Sequence, residues 1–286
     1  AVKGAEGRSG GPSDLPLSAV PSPKGGGMVS TMATLQLHPD SIDDYRMFLA
    51  VKRLPKYTVT GRTVWFPDEY AAQLGLAPKR SKSSKFEPSS FLFDYQRDIV
   101  RLAVKKRKYC VFADCGLGKT LMQLEIGRQV CAHTGGRFLI VAPLGVRQEF
   151  MRDAALLGVS LAFVRRIEEC GPMGLYLTNY ETVRDGKLDP TGFDAVSLDE
   201  AAILRGFGGT KTFRELMRRY EGSSAYRFVA TATPSPNDYI ELLSYAAFLD
   251  VLDVGQAKTR FFQRDSEKAD NLTLLPHMEH EFWMWV

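Results

Sequence analysis

The sequence predicts an α/β protein in which a mostly parallel sheet carries helices on both faces. From about residue 91 onward, short and almost continuously apolar runs alternate with segments whose apolar residues recur at helical spacing. A glycine-rich stretch, FADCGLGKT at 112–120, follows one of these runs and leads directly into a helical segment. Because parallel sheets bind ligands in loops beyond the carboxyl ends of their strands, we expect a doubly wound domain with a site at this loop.

The elements of this domain can be read in order along the chain. The predicted buried strands are the runs YCVFAD, FLIVAP, LAFV, LYLTNY, AVSLDE and YRFVATAT. The segments with helical periodicity are DYQRDIVRLAVKKR, TLMQLEIGRQVCAH, GVRQEFMRDAALLG and TFRELMRRY. No repeat of fixed period is visible.

A smaller module precedes this region. Residues 39–54 have helical spacing, YTVTGRTVWF is rich in β-branched and aromatic residues, and PDEYAAQLGL predicts a second short helix. The stretch PKRSKSSK is interpreted as a basic linker that is either a solvated loop or a nucleic-acid contact. The predicted organisation is 1–34 disordered or linker sequence, 35–77 a small α+β N-terminal module, 78–90 the basic linker and 91–286 the α/β lobe.

Composition restricts the class of protein. The net charge of +4 permits a nucleic-acid partner without requiring one, and no apolar run approaches the ~18 residues of a membrane span. The four cysteines form no CxxC pair, which is typical of a reducing compartment, and His277 and His280 have no further ligands at zinc spacing. We therefore expect a cytoplasmic protein with no membrane partner.

The glycine-rich loop has the residues that phosphate binding needs. It matches GxxxxGK[ST] except that Ala113 replaces the first glycine. Gly116, Leu117 and Gly118 would turn backbone N–H groups toward phosphate oxygens. Lys119 would supply a charge for the outer phosphates, and Thr120 a hydroxyl for Mg²⁺. The alternative is a purely structural turn before a helix.

Two adjacent carboxylates end the apolar run AVSLDE. At a strand end, Asp199 could orient Mg²⁺ through its water shell, while Glu200 could position and activate an attacking water. The catalytic candidates are therefore Glu200, Lys119 and Asp199. The alternative is a surface loop that carries Asp-Glu by chance.

These motifs resemble those of superfamily two helicases and translocases, and within them the Swi/Snf-like and phage-type DEAD-like proteins, over roughly residues 91–250. The sequence DEAA at 199–202 is similar to their DEAD/DEAH element with the last residue changed. Ala113 is a residue that this superfamily often has at the first loop position. The resemblance implies a RecA-like P-loop NTPase lobe that binds and hydrolyses ATP with Mg²⁺ and acts on DNA, or on RNA.

Three further motifs gain a role from the resemblance. APLGVRQ at 142–148 and TNYE at 178–181 are similar to motifs that face the nucleic-acid backbone, and TATP at 231–234 to one that couples the nucleotide site to the nucleic acid. Without the resemblance, the first two would be read as turns and the third as an ordinary strand end. The residues assigned to the nucleic-acid face are Pro143, Leu144, Arg147, Thr178, Asn179 and Tyr180, and those assigned to coupling are Thr231 and Thr233.

The segment FLFDYQR at 91–97 resembles the adenine-reading element that precedes the loop in this superfamily. Gln96 is the candidate for the contact with the adenine edge, because an amide can both donate and accept, and nearby aromatics can stack on the ring. The alternative is that Phe91, Phe93 and Tyr95 are core aromatics.

Two departures from the family pattern matter. Ala202 cannot form the polar link that His or Asp makes there in many relatives, and no second RecA-like lobe follows TATP. Arg260 and Arg264 are not expected to replace the arginine fingers of that lobe, which must approach from across a cleft. The aromatic ending EFWMWV is expected to be the end of a cut chain.

The motifs and the resemblance together predict the first motor lobe of an ATP-dependent DNA or RNA translocase or helicase of a bacterium or phage, with the second lobe absent from this chain. The isolated lobe is expected to bind ATP and to hydrolyse it slowly. A different class, a nucleotide-binding interaction module without motor activity, remains the alternative. A small-molecule kinase with a P-loop is disfavoured, since nothing beyond the loop indicates an acceptor pocket.

Overall fold

The computed structural model describes residues 32–76, 87–200, 217–218, 220, 226–235, 238–264 and 272–286. These residues fall into two compact units, which separate between Lys79 and Arg80. Each unit is described by itself.

The N-terminal unit is a three-stranded antiparallel sheet with one α-helix. Its elements are β1 (Met32–Gln36), α1 (Ile42–Val51), β2 (Thr58–Thr60) and β3 (Thr63–Pro67), in the strand order β1-β3-β2, followed by a 3₁₀ helix over Asp68–Leu74. Ser41 caps α1 by accepting a hydrogen bond from the backbone N–H of Asp44. Val51, Val64 and Phe66 are fully buried in the core of this unit.

Two expectations for this unit need correction. The sequence analysis began the module at residue 35 and predicted no strand before α1, whereas β1 pairs with β3 along its whole length. With five residues and one β-branched side chain, β1 is too short to show a clear period-2 pattern. The predicted second helix is a 3₁₀ helix, which ends where Gly75 adopts a left-handed φ of 70°.

The larger unit is built on a six-stranded parallel sheet, which confirms the predicted fold class. The order of its strands is β4-β9-β8-β5-β7-β6. The strands are β4 (Lys108–Phe112), β5 (Arg137–Ala142), β6 (Leu161–Phe163), β7 (Gly174–Asn179), β8 (Ala195–Asp199) and β9 (Tyr226–Thr231). Each corresponds to one of the predicted apolar runs.

Helices cover both faces of this sheet. Alternate residues of β5 enter different core clusters, Phe138 on one face and Leu139 on the other. The first face is covered by α2 (Asp94–Lys106), α3 (Lys119–Thr134) and α4 (Arg147–Leu156). The second is covered by α5 (Tyr180–Arg184), α6 (Leu242–Leu249), α7 (Val254–Phe261) and α8 (Glu279–Trp285). The predicted helix TFRELMRRY lies mostly outside the described residues.

The C-terminal segment belongs to the same core. A short antiparallel hairpin, β10 (Phe262–Arg264) with β11 (Leu272–Leu274), joins α7 to α8. Phe261, Phe262 and Phe282 pack together at centroid distances of 5.5 and 5.6 Å from Phe282. Arg260 donates a 2.9 Å hydrogen bond to Glu281 and so ties α7 to α8. No helix within the described ranges is long and apolar enough to cross a membrane.

Candidate nucleotide site

The glycine-rich loop lies between β4 and α3, at the carboxyl end of the sheet. Gly116 and Gly118 have φ values of 81° and 73°, in the left-handed region that favours glycine. A Cβ atom at Gly118 would also clash with Nε2 of Gln96, whereas one at Gly116 would meet open space. The second glycine of the GLGKT sequence is therefore required for two reasons, and the first for its backbone conformation alone.

The structure explains why an alanine can begin this loop. The backbone N–H of Ala113 donates a 3.2 Å hydrogen bond to the carbonyl of Thr231, which extends the pairing of β4 with β9 by one residue. The φ of Ala113 is not in the left-handed region. Its methyl group packs against the buried residues that lie between the sheet and helices α2 and α3. A side chain is compatible with this position because the chain is still extended there.

Lys119 and Thr120 begin α3. The Lys119 ammonium donates to the carbonyls of Ala113 and Asp114, at 3.0 and 3.1 Å, and so lies across the loop. The Thr120 hydroxyl lies 3.3 Å from a carboxylate oxygen of Glu149 in the first turn of α4. Both side chains thus lie where the loop enters α3, and phosphates bind at this position in loops of this kind.

Gln96 fixes the loop from the side of α2. Its Nε2 donates to the carbonyl of Leu117 at 3.0 Å, and its Oε1 accepts from the backbone N–H of Phe93 at 3.1 Å. The side chain is 2% exposed. In this structure its amide therefore supports the loop, and the contact with an adenine edge stays a prediction.

The aromatic residues around Gln96 are not core residues. Phe91, Phe93 and Tyr95 are 55%, 70% and 43% exposed, which rules out the alternative that they are buried. The rings of Phe93 and Tyr95 stack with centroids 6.0 Å apart, and the Tyr95 hydroxyl donates to Leu117 at 3.2 Å. An exposed aromatic surface therefore lies beside the loop, as stacking on a base would require.

Asp199 is the last residue of β8 and is held by a buried chain of hydrogen bonds. Gln123 of α3 donates to its Oδ1 at 2.7 Å, and the Ser197 hydroxyl donates to Gln123 Oε1 at 2.7 Å. Burial raises the pKa of Asp199 to about 6, and Glu200 adds to the increase, while Gln123 and Lys119 oppose it. The carboxylate is thus kept in position in a site that penalises its charge.

Glu200 follows in a strained backbone conformation. Its φ of 47° is in the left-handed region, which is uncommon for a residue with a side chain. Its Oε1 accepts a 3.5 Å hydrogen bond from Thr231, whose hydroxyl also accepts from the backbone N–H of Thr233 at 3.1 Å. Glu200, predicted to activate water, is therefore linked to Thr231 and Thr233, which are predicted to couple the nucleotide site to the nucleic acid. Ala202 lies outside the described residues.

The structure brings together only part of the predicted nucleic-acid face. Pro143 is half-buried, and Leu144 is 54% exposed in the turn after β5. Arg147 begins α4, and its guanidinium lies 4.2 Å from the ring centroid of Phe163. These three residues form a surface beyond the carboxyl end of β5.

The other half of the predicted nucleic-acid face has buried side chains at Thr178 and Tyr180. Thr178 is 1% exposed and donates to the carbonyl of Val164 at 2.8 Å, and Tyr180 is 4% exposed and donates to the carbonyl of Asp199 at 2.7 Å. Asn179 caps α5 by accepting from the backbone N–H of Thr182. All three serve the interior or the local backbone, so the geometry gives no support to their predicted contact with a nucleic acid.

Three polar residues at this site were missed by the sequence analysis, namely Gln123, Glu149 and Ser197. Gln123 and Ser197 are 1% and 0% exposed and interrupt apolar runs, which is a signal that could have been used. Glu149 lies in an exposed helical turn and has no such signal. Its proximity to Thr120 comes only from the packing of α4 beside α3.

Oxygen ligands at this site fit Mg²⁺. Mg²⁺ keeps several waters and binds proteins through one or two carboxylates, and the Thr120 hydroxyl and the Asp199 carboxylate are of the required type. Over the ranges that the structure describes, no group of three or more His, Cys, Asp and Glu is arranged to hold a metal by itself. The residues thus suit a cation that shares its ligands with water and phosphate.

Comparisons by sequence with protein-family models and with curated proteins gave no match. Comparison of the structure with solved structures did. The Sulfolobus solfataricus SWI2/SNF2 ATPase core in complex with dsDNA matches with a TM-score of 0.52 and 21% identity, covering 64% of this chain and 41% of that chain. The S. solfataricus SWI2/SNF2 ATPase core domain matches with a TM-score of 0.50 and 23% identity over the same shares.

The UvsW helicase from bacteriophage T4 matches over 73% of this chain and 67% of its own, with 14% identity and a TM-score of 0.41 that is too low to support an argument. The chain spans 41% of the length of the SWI2/SNF2 cores that it matches. The predicted resemblance is confirmed at the level of the fold. The larger unit has the RecA-like α/β fold that these SWI2/SNF2 ATPase cores share.

Proposed function

We propose that this chain is the first motor lobe of an ATP-dependent nucleic-acid translocase or helicase, and that it binds and hydrolyses ATP with Mg²⁺. The observation that carries the proposal is the direct linkage between the loop and the acidic pair. Gln123, on the helix that begins at Lys119, donates to Asp199, and Thr231 lies between Glu200 and Ala113. A structural turn and a chance Asp-Glu pair would have no reason to be joined in this way.

The residues of the site divide the work of in-line phosphoryl transfer to water. The N–H groups at the start of α3 and the Lys119 ammonium would bind the phosphates and neutralise their charge. Thr120 and Asp199 would hold Mg²⁺, which supplies further neutralisation of the β- and γ-phosphate oxygens when it is bound. Glu200 would orient the attacking water and accept its proton.

Lys119 must change partners for this reaction. Its ammonium donates to two loop carbonyls in this structure, and binding of phosphates would replace these neutral acceptors with charged ones. The exchange is favourable because the attraction between the ammonium and the negatively charged phosphate adds to the hydrogen bonds.

A nucleic-acid partner is part of the proposal. One of the matched SWI2/SNF2 cores was solved with double-stranded DNA, and the exposed turn after β5 carries Leu144 and Arg147 in this chain. The charge balance of +4 is compatible with such a partner. Contacts with backbone phosphates would make the binding tolerant of sequence.

The nucleotide site is tested by Lys119→Ala and Glu200→Gln. Binding of a fluorescent ATP analogue is measured on this chain, and phosphate release in the presence of duplex DNA is measured on a longer protein that includes a second lobe. Lys119→Ala should weaken nucleotide binding by about tenfold or more, since it removes charge-assisted hydrogen bonds. Glu200→Gln should keep the affinity and lose hydrolysis, because the amide has the shape of the acid but cannot accept a proton.

Matched controls are Lys105→Ala, an exposed lysine in the last turn of α2, and Glu181→Gln, an exposed acid at the start of α5. Both should behave as the wild type. Equal nucleotide affinities of wild type and Lys119→Ala would remove the loop from the site. Nucleotide binding without any hydrolysis that DNA or RNA stimulates would favour the interaction module instead.

A further inference from the structure

The carboxyl end of β6 carries two arginines around one aromatic ring. Phe163 is the last residue of β6, and the Cζ atoms of Arg147 and Arg165 lie 4.2 and 5.9 Å from its ring centroid. Arg147 comes from the start of α4 and Arg165 from the turn after β6, and both side chains are exposed. Two separate segments of the chain thus direct positive charge to the same place.

The pairing of these arginines differs from that of their neighbours. Arg152 forms a 3.1 Å ion pair with Asp153, and Arg166 forms a 3.2 Å ion pair with Glu169. Neither Arg147 nor Arg165 forms an ion pair within the part of the chain that the structure describes. Glu169, whose carboxylate accepts a 2.9 Å hydrogen bond from the backbone N–H of Arg165, interacts electrostatically with this arginine, so the positive charge at Phe163 is balanced only in part.

We propose that Arg147 and Arg165, placed on Phe163, bind a phosphate of the nucleic-acid backbone. This inference rests on the proposed function and adds to it a residue, Arg165, that lies in none of the sequence motifs. A guanidinium that stacks on a ring keeps its N–H groups directed outward in one plane, and a planar fork of donors matches phosphate oxygens. Two such groups at one position would bind an anion more strongly than either alone.

Measurement of binding across a salt series tests the proposal, with fluorescence anisotropy of labelled single-stranded and duplex DNA. Each phosphate contact contributes about −0.9 on duplex and about −0.7 on single strands to the slope of log K against log salt. Arg165→Ala and Arg147→Ala should each weaken binding and make this slope shallower by up to about one contact. Because the two share one phosphate, the double variant should lose less than the sum of the single losses.

Arg166→Ala is the matched control, since it removes an exposed arginine next in the chain that is already paired with Glu169. It should keep the slope of the wild type, and Arg165→Lys should keep most of the slope because the charge remains. If the wild type binds DNA and Arg165→Ala binds as Arg166→Ala does, the inference is wrong while the proposed function stands. If the wild type binds neither DNA nor RNA, the proposed function itself fails and this inference with it.

A second inference comes from the buried chain between α3 and β8. Gln123 uses both ends of its amide, since Nε2 donates to Asp199 Oδ1 and Oε1 accepts from the Ser197 hydroxyl, each at 2.7 Å. The ionised carboxylate of Asp199 fixes which way the amide points, because an inverted amide would place its oxygen against another acceptor, while the Ser197 hydroxyl can donate or accept. One carboxylate oxygen of Asp199 is thereby occupied, and the other has no hydrogen bond from any described residue.

The geometry points to Gln123 as a positioning residue for Asp199. By holding Oδ1, it would direct the remaining oxygen, Oδ2, toward the water shell of Mg²⁺, in the way that partners of metal ligands fix their orientation. This inference also rests on the proposed function. A positioning role of Gln123 would change how strongly nucleotide binding depends on Mg²⁺, whereas a purely structural role would change only the stability of the fold.

The test compares two buried glutamines of the same helix. Gln129 is 8% exposed and donates to Glu87 O and Glu125 Oε1, at 2.7 and 2.9 Å, away from the acidic pair. The measured quantity is the ratio of affinities for a fluorescent ATP analogue with Mg²⁺ and with EDTA. Gln123→Leu should lower this ratio by about tenfold or more, the range for partners of metal ligands.

Gln129→Leu should lower the melting temperature but keep the ratio, and Ser197→Ala should reduce the ratio by less than Gln123→Leu does. Equal ratios for Gln123→Leu and Gln129→Leu would overturn the inference. If the wild type binds the nucleotide equally well with and without Mg²⁺, the proposed metal site fails at Thr120 and Asp199, and the role of Gln123 fails with it.

Discussion

The strand ends of the main sheet divide into two kinds. The loop after β4 and the acidic pair at the end of β8 are joined to other elements of the site, since Gln123 of α3 donates to Asp199 and Thr231 of β9 donates to Glu200. At the end of β7, the next residues turn back into the protein, and the Tyr180 hydroxyl reaches the carbonyl of Asp199. The second kind of strand end supports the first, because Tyr180 fixes the backbone that carries the acidic pair.

This difference separates residues that would touch a ligand from residues that would place them. Both kinds lie at carboxyl ends of parallel strands and both carry polar side chains, so position along the chain does not distinguish them. Hydrogen bonding does, since the hydroxyls of Thr178 and Tyr180 donate to backbone carbonyls at 2.8 and 2.7 Å, whereas Oδ2 of Asp199 has no hydrogen bond from any described residue. Variants at the two kinds of strand end should therefore have different effects.

Gly118→Ala should have the largest effect, and on nucleotide binding. The new methyl group would be placed at a φ of 73° and against the buried amide of Gln96, so the loop must move. We expect nucleotide affinity to fall by about tenfold or more, with a folded α/β core. Gly116→Ala, which meets no neighbouring atom, is the control with the smaller effect. Equal losses would show that backbone conformation alone is responsible.

Asp199→Asn should change stability in a way that depends on pH. The pKa of this carboxyl is about 6 in the folded protein against an ordinary aspartate value of 3.8, so the folded state binds the proton more tightly. The stability that this proton adds to the folded protein is fully present below pH 4 and is lost as the pH rises through 6. The Asn side chain stays uncharged at every pH and so avoids this loss of stability. We therefore expect Asp199→Asn to stabilise the ligand-free protein by about 1–3 kcal/mol at pH 7.5.

Urea denaturation at pH 7.5 and pH 4 measures this effect. The gain should shrink toward pH 4, where Asp199 is largely protonated in the folded protein and the wild type is no longer penalised. A gain of the same size at both pH values would contradict the raised pKa of Asp199. The same variant should weaken Mg²⁺-dependent nucleotide binding, as expected at a strand end that contacts the ligand.

Tyr180→Phe should have the smallest effect, and on stability alone. It removes the 2.7 Å hydrogen bond to Asp199 from a buried hydroxyl, which should cost about 1–2 kcal/mol of unfolding free energy. Tyr176→Phe on β7 is the control, since its hydroxyl makes longer contacts of 3.3 and 3.4 Å. A loss of nucleic-acid affinity in Tyr180→Phe at unchanged stability would overturn the distinction between the two kinds of strand end.

Much of the architecture could be predicted from the sequence. Six apolar runs became the six strands of the parallel sheet, because strands buried on both faces need an almost continuous apolar sequence. The strand β1 was missed, since five residues with one β-branched side chain leave no clear period. The hairpin of β10 and β11 was not predicted either, and its strands have three residues each.

The candidate site was predictable only where chemistry and spacing coincide. The loop residues and the acidic pair have residue types that few structural roles require together, and the structure places them at one end of the sheet. Glu149 and Arg165 could not be predicted, because each gains its meaning from a contact with a different element, with Thr120 and with Phe163 respectively.

The sequence by itself determined which segments are strands and helices, and which loop has the glycines and cations to bind phosphate. Only the tertiary structure decided which polar side chains point inward, as Thr178, Tyr180 and Gln123 do. The physical reason is that hydrophobic periodicity reports the average burial of an element. The direction of a single side chain after a strand depends on the neighbours that fold against it, and these come from distant parts of the chain.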